Sequence, residues 1–240
     1  MKVIVCNNYD ELSMEAAKIM AATIKEKPDG VLGLATGSTP IGMYDNLIEM
    51  YKNGELDFKD IKTFNLDEYY PLSADNDQSY HYFMNKQLFS GINVKEENIH
   101  ILDGLSKDPE KECADFEKLI DEAGGIDIQV LGIGQNGHIG FNEPDDKLYA
   151  NTHLTDLTEN TIKANSRFFE KESDVPTKAL TMGMGTILKA KKIIILANGK
   201  AKHKVVSELV QPMITTNNPA TFLNAHADVT LICDKEAFEG

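Results

Sequence analysis

The sequence predicts an α/β protein: one domain spanning residues 1–240, built as a single doubly wound, mainly parallel sheet with helices on both faces. Three observations predict it. Short, continuously apolar runs recur along the chain, as expected of strands buried on both faces rather than half-solvated ones. Between them lie amphipathic segments long enough for the crossovers that parallel pairing requires. Glycine-rich polar turns follow several runs, which is where open α/β sheets hold their ligands.

Residues 3–6 form a short strand, and 11–25 a helix with Leu12, Ala16, Ile19, Met20 and Ile24 on one face. A second strand, 31–36, runs into Gly37-Ser38-Thr39-Pro40. Met43, Tyr44, Leu47, Ile48 and Tyr51 then mark a helix ending near Asn53-Gly54. Strand 61–66, helix 79–89, strand 99–102, helix 109–123 and strand 127–134 follow. The last third carries strands at 179–182, 193–197 and 229–233, with helices at 185–190 and 200–210. Residues 145–176 show the least periodicity and are expected to contain a lid.

A formal net charge of -14 with no basic run opposes nucleic-acid binding, which depends on clustered Lys and Arg. No apolar run has membrane-spanning length and no early stretch has signal-peptide architecture, so no membrane partner is expected. Cys6, Cys113 and Cys233 are odd in number and far apart, which suits buried thiols in a reducing cytoplasm better than a disulfide framework. His81, His100, His153, His203 and His226 lack acidic or cysteine partners at ligand spacing. Neither a metal nor a cofactor is expected, and no Gly-x-Ser-x-Gly nucleophile elbow occurs.

Four stretches carry the candidate chemistry. The first, Gly132-Ile133-Gly134-Gln135-Asn136-Gly137-His138-Ile139-Gly140-Phe141-Asn142-Glu143-Pro144, delivers a histidine, a carboxylate and three amides just past a buried strand. Its Gly-x-Gly-x-x-Gly matches a dinucleotide fingerprint only weakly, because Pro144 interrupts the helix that such a fingerprint must open. The second, Ala35 to Pro40, reads equally as an anion site at a helix start or as an ordinary capped turn, and it lacks the Gly-Lys-Ser/Thr of a nucleotide loop. In the third, Thr63-Phe64-Asn65-Leu66-Asp67-Glu68-Tyr69-Tyr70, a strand ends in two acids among apolar and aromatic residues. There Asp67 is either a desolvated base or a solvated loop acid. The fourth, Asn198-Gly199-Lys200-Ala201, puts a cation at the sheet edge. Of the 24 basic residues only Arg167 is arginine, the side chain suited to planar recognition of phosphate. The combination suggests a small ligand with a phosphate end and an acid/base end.

The runs Ala-Thr-Gly-Ser-Thr-Pro, Phe-Asn-Leu-Asp-Glu-Tyr, Gly-x-Gly-x-Asn-Gly-His-Ile-Gly-Phe-Asn-Glu-Pro, Ala-Asn-Ser-Arg-Phe-Phe and Ala-Leu-Thr-Met-Gly-Met-Gly-Thr together resemble the glucosamine-6-phosphate deaminase family, in its order and over nearly the whole chain. The resemblance implies a doubly wound fold and conversion of glucosamine 6-phosphate and water to fructose 6-phosphate and ammonia, in amino sugar catabolism. It assigns Asp67 as the base moving a proton between C2 and C1, and His138 to ring opening with Glu143 holding its imidazole. Gly37, Ser38, Thr39, Arg167 and Lys200 match the phosphate-binding positions. Many members carry an acid where this chain has Asn136, an amide that orients His138 without supplying charge.

The related 6-phosphogluconolactonases share the Gly-His core but end it with a Ser-Leu-Phe-Pro type of sequence instead of Phe141-Asn142-Glu143-Pro144. A lactonase and a non-catalytic sugar-phosphate sensor are the alternatives to the deaminase. Larger, hexameric members are activated by N-acetylglucosamine 6-phosphate, bound by basic residues shortly after the Asn-Glu-Pro motif. The matching stretch here, Asp145 to Asp156, holds three acids and one lysine, so a monomer or small homo-oligomer without that activation is expected.

Overall fold

The structure is a computed structural model describing residues 1–166, 169, 171 and 174–240, apart from the side chains of Asn160, Ala164 and Asn165. The order of elements is β1 (Lys2–Cys6), α1 (Tyr9–Glu26), β2 (Val31–Leu34), α2 (Ile41–Lys52), β3 (Lys62–Asn65), β4 (Asp67–Tyr70), α3 (Tyr80–Gln87), β5 (Ile99–His100), α4 (Pro109–Glu122), β6 (Ile128–Gly132), β7 (His153–Asp156), α5 (Glu159–Asn165), β8 (Lys178–Thr181), α6 (Met184–Leu188), β9 (Lys192–Ala197), α7 (His203–Leu209), β10 (Val229–Asp234) and α8 (Lys235–Glu239). Local chemistry sets the helix starts. Asn8 accepts from the Glu11 N–H at 2.9 Å to open α1, and Asp108, followed by Pro109 at the first helical position, accepts from the Lys111 N–H at 3.0 Å to open α4.

Seven strands pair in parallel in the order β1-β10-β9-β6-β2-β3-β5. Their side chains alternate between two apolar layers, which is why the strands read as unbroken apolar runs. Ile193 and Ile195 join Phe64 and Leu131 under α4, α6 and α7, where Phe116, Ile187 and Val206 are buried. Ile194 and Leu196 join Leu32 and Leu34 under α1 and α2, where Ala16, Met20 and Leu47 are buried. Among the described residues no helix is long and apolar enough to cross a membrane. All three cysteines are free and buried.

From β2 the chain winds outward through β3 to β5, then returns to β6 and winds the other way through β9 to β10. The winding therefore reverses between β2 and β6, where Leu32 pairs with Ile128 and Gly33 with Gln129. Loops leaving neighbouring strands in opposite directions open a crevice at their carboxyl ends.

A second sheet accompanies the main one: β4, β8 and β7 pair antiparallel in that order. The sequence predicts the strand at 179–182 without separating it from the main sheet, and predicts neither β4 nor β7. Asp-Glu-Tyr-Tyr and His-Leu-Thr-Asp lack the apolar alternation that marks a strand, and their pairing is set by distant neighbours. Leu66 joins the two sheets. Its N–H donates to Leu34 O at 2.9 Å, and its carbonyl accepts from the Met182 N–H at 2.8 Å.

Candidate functional site

The crevice is a cavity of about 390 Å³, with Thr36, Ser38, Asp67, His138, Phe169 and Lys202 among the residues on its wall. The loop after β2 forms one end. Tyr44, fully buried beneath it, donates its hydroxyl to Ala35 O at 2.6 Å and accepts from the Ala35 N–H at 3.2 Å. Gly37 turns the chain with φ 96° and faces open space, where any other residue would be strained. The Tyr9 hydroxyl accepts from the Gly42 N–H at 2.9 Å and lies 3.0 Å and 3.1 Å from the Ser38 and Thr39 carbonyls it donates to. The Thr39 hydroxyl donates to Asn198 Oδ1 at 2.8 Å. Pro40 itself makes no side-chain cap on α2 and the Tyr9 hydroxyl takes the Gly42 N–H, so the case for an anion here is the general fitness of a helix start for negative charge.

Asp67 also lines the cavity, immediately after the Leu66 joint. It is 6% exposed, and among the described residues its buried Oδ1 has no hydrogen-bond partner. Burial, then the neighbouring charge of Glu68, pushes its carboxyl up to about 8. Tyr69, Tyr80, Phe141 and Phe169 supply the apolar surroundings. Tyr69 packs at 4.8 Å from Tyr80, 5.8 Å from Phe141 and 5.9 Å from Phe169, ring centre to ring centre. Glu68 has a different task. Its carboxylate accepts from the N–H groups of Tyr69, Tyr80 and His81 at 2.8, 2.9 and 2.9 Å, tying β4 to the first turn of α3. Burial pushes Glu68 up to about 7, against those three bonds.

His138 is carried on a turn closed by the Gly134 N–H donating to His138 O at 2.8 Å. A side chain at Gly134 would put its Cβ 2.4 Å from the imidazole, so glycine there is what lets the ring lie across the turn. His138 Nδ1 meets Glu143 Oε2 at 3.2 Å, and Asn136 Nδ2 donates to the same oxygen at 2.6 Å. Asn136 Oδ1 in turn accepts from the His138 N–H at 3.2 Å. The other oxygen, Oε1, accepts from the Thr161 hydroxyl on α5. Burial works to raise Glu143, but the hydrogen bond and charge of His138, with the Thr161 and Asn136 bonds, outweigh it and hold the carboxyl at about 2. Glu143 is therefore ionised at neutral pH beside the imidazole. Asn142, 3% exposed, braces this segment by donating to Ile139 O at 2.9 Å and Met182 O at 2.8 Å.

With one carboxylate in an apolar setting, one histidine–carboxylate pair and an anion-ready loop on a single crevice, the geometry can be set beside known proteins. A family model described as glucosamine-6-phosphate isomerases/6-phosphogluconolactonase matches residues 7–232. The chain belongs to that family. Within the glucosamine-6-phosphate isomerase/6-phosphogluconolactonase family it is 58% identical over 237 residues to the glucosamine-6-phosphate deaminase of Thermoanaerobacter pseudethanolicus, covering 99% of this chain and 94% of that protein. It is 55% identical over 237 residues to the enzyme of that name from Halothermothrix orenii, covering 99% and 98%. A solved structure described as a monomeric glucosamine-6-phosphate deaminase superposes with a TM-score of 0.96 at 49% identity, covering 99% of this chain and 98% of that one. The 6-phosphogluconolactonase of Thermotoga maritima, 23% identical with a TM-score of 0.77 over 98% and 100%, shares the fold.

On this family frame, Gly37, Ser38, Thr39, Asp67 and His138 all line the crevice, with Asn136 and Glu143 bonded behind the imidazole. Lys200 is placed apart from these residues. It is exposed at the start of a 3₁₀ turn, Lys200–Lys202, and off the cavity wall, whereas Lys202 lines the cavity. With three residues per turn, positions 200 and 202 face different sides, and it is Lys202 that faces the cavity. Burial lowers the Lys202 ammonium, which donates to Ile133 O at 2.5 Å. Arg167 lies outside the described residues. Tyr9 and Thr161 are not singled out by the sequence, and Asn198 appears there only as a neighbour of Lys200. Tyr9 carries no local signal, and for Thr161 the Thr158-x-x-Thr161 spacing at a helix start is the one signal that could have found it.

Proposed function

We propose that this protein is a glucosamine-6-phosphate deaminase, converting glucosamine 6-phosphate and water to fructose 6-phosphate and ammonia in amino sugar catabolism. The observation that carries the proposal is the placing of Asp67, a carboxyl raised to about 8, on the same crevice as the His138–Glu143 pair and the Gly37–Thr39 loop. A raised carboxyl is a base strong enough to take a proton from carbon next to an imine or carbonyl. The extensive identity to proteins named for this activity supports the same reading.

In this mechanism the phosphate rests on the loop after β2, with Arg167 and Lys202 as its cationic partners. His138 Nδ1–H points at Glu143, which leaves Nε2 to take and return the proton exchanged between the ring oxygen and the anomeric hydroxyl as the sugar opens. Asp67 then moves a proton between C2 and C1, turning aldose into ketose, and the nitrogen on C2 is replaced by water's oxygen and leaves as ammonia. Atoms balance with water as the sole co-substrate. The acidic surface and the three buried thiols fit a monomer or small oligomer in a cytoplasm, without nucleic-acid or membrane partners. A direct assay settles the reaction: ammonia and fructose 6-phosphate should appear in equal amounts from glucosamine 6-phosphate, with a chelator present. Hydrolysis of 6-phosphogluconolactone without ammonia release would replace the deaminase by a lactonase, and binding of the sugar phosphate without turnover would make it a sensor.

A further inference from the structure

The Glu143 carboxylate is gripped from two sides of the chain. Oε2 takes the Asn136 amide and the His138 ring, both from its own turn, while Oε1 takes a hydroxyl from α5, eighteen residues on. That hydroxyl is the end of a short relay. Thr158, the N-cap of α5, accepts from the Thr161 N–H at 3.2 Å and donates its own hydroxyl to Thr161 Oγ1 at 3.0 Å. An ionised carboxylate only accepts, so the Thr161 proton goes to Glu143 and the Thr158 proton goes to Thr161. The first turn of α5 and the orientation of Glu143 thus share one hydrogen-bonded chain, and Thr161 is 9% exposed, shielded from competing water.

We infer that Thr161 is a positioning residue for the His138–Glu143 pair, through which the docking of α5 selects the histidine tautomer. With Oε1 pinned by Thr161, Oε2 cannot rotate away from Nδ1. The neutral imidazole therefore keeps its proton on Nδ1 and its lone pair on Nε2, toward the cavity. Without the hydroxyl, Oε1 loses its donor, the carboxylate turns, and the two tautomers become closer in energy. The consequence for turnover rests on the deaminase reading above; the consequence for the ring does not.

The test uses Thr161→Val, close in shape and lacking the hydroxyl, and Thr161→Ser, which restores it. In the ligand-free enzyme, nitrogen-15 spectra of histidine, with the His138 signals assigned by their loss in His138→Gln, should show the Nδ1–H tautomer in wild type and Thr161→Ser and a mixture in Thr161→Val. The kcat for glucosamine 6-phosphate should fall about 10- to 100-fold in Thr161→Val with little change in KM, the loss expected for a hydrogen bond to a charged group, and should return to within a few-fold in Thr161→Ser. Thermal unfolding separates these effects from misfolding, and Thr161→Ala serves for the same readings if the valine variant does not fold. An unaltered tautomer in the folded variant would overturn the inference whatever the kinetics. An altered tautomer with unchanged kcat would leave the positioning intact and count against the role given to His138.

Discussion

Asp67 concentrates the energetics of the site in one side chain. Its surroundings hold the proton that catalysis must remove, so kcat/KM should rise with pH through a transition near the value of about 8 to which burial lifts it. The same shift sets the sign of a stability effect. A carboxyl raised in the folded state binds more protons there than in the unfolded chain between its ordinary value of 3.8 and about 8, so its contribution falls as pH rises across that window. Asp67→Asn removes both effects: activity should drop about 10²- to 10⁴-fold, while the melting temperature at pH 8 should rise relative to wild type and change little at pH 4. Activity assays and thermal scans at the two pH values check this, and a destabilised, active variant would remove Asp67 from the role of base. For the two lysines the expectation is a contrast. Lys202→Met should raise KM about 10-fold or more, as for loss of a hydrogen bond to a charged group, and Lys200→Met should leave it unchanged, since only Lys202 lines the cavity. Equal effects would reject that distinction.

The turn from Gly132 to Gly140 is the element on which the chemistry depends, and its geometry leaves no space for a methyl group at Gly134. Gly134→Ala would bring Cβ within 2.4 Å of the His138 ring, so the imidazole must swing from the line joining it to Glu143. We expect kcat to fall at least about 100-fold, the scale of losing a positioned proton-transfer group, with far-UV circular dichroism and the cooperative unfolding transition retained. Near-normal kcat would show that the ring has a second productive placement. This turn was legible as a motif because glycine, histidine and Asn-Glu-Pro fall together in the chain. The antiparallel sheet beside it was not legible, because β4 and β7 are recognisable as strands only through β8.

At the scale of the whole molecule, acidic residues follow the Gly132–Gly140 turn on the stretch where the sequence comparison expects no activating sugar phosphate to bind. Asp145, Asp146 and Asp156 are exposed after the Gly132–Gly140 turn, and Asp156 pairs with Lys178 at 3.3 Å. A phosphate approaching there meets like charge, and activation requires a second site with different affinity in two states. Hyperbolic kinetics without activation by N-acetylglucosamine 6-phosphate are therefore expected, with light scattering giving a monomer or small oligomer. A sigmoidal curve made hyperbolic by that compound, or a hexamer, would reject the expectation. The structural relative described as monomeric accords with it.

The sequence by itself determined the parallel, doubly wound sheet, because strands buried on both faces must be apolar throughout and crossover helices must be amphipathic, and both patterns are local. It also determined that loops 35–40 and 132–144 and Asp67 would meet on one edge, since parallel strands send all their carboxyl ends the same way. Only the tertiary structure decided which polar side chains face the crevice. Lys202 rather than Lys200 reaches it through the pitch of a 3₁₀ turn. Glu68 accepts from the first turn of α3, while its neighbour Asp67 keeps an oxygen with no partner among the described residues. Thr161 meets Glu143 because a helix eighteen residues away docks on it. Orientation of this kind depends on contacts between segments distant in sequence, and no local pattern records them.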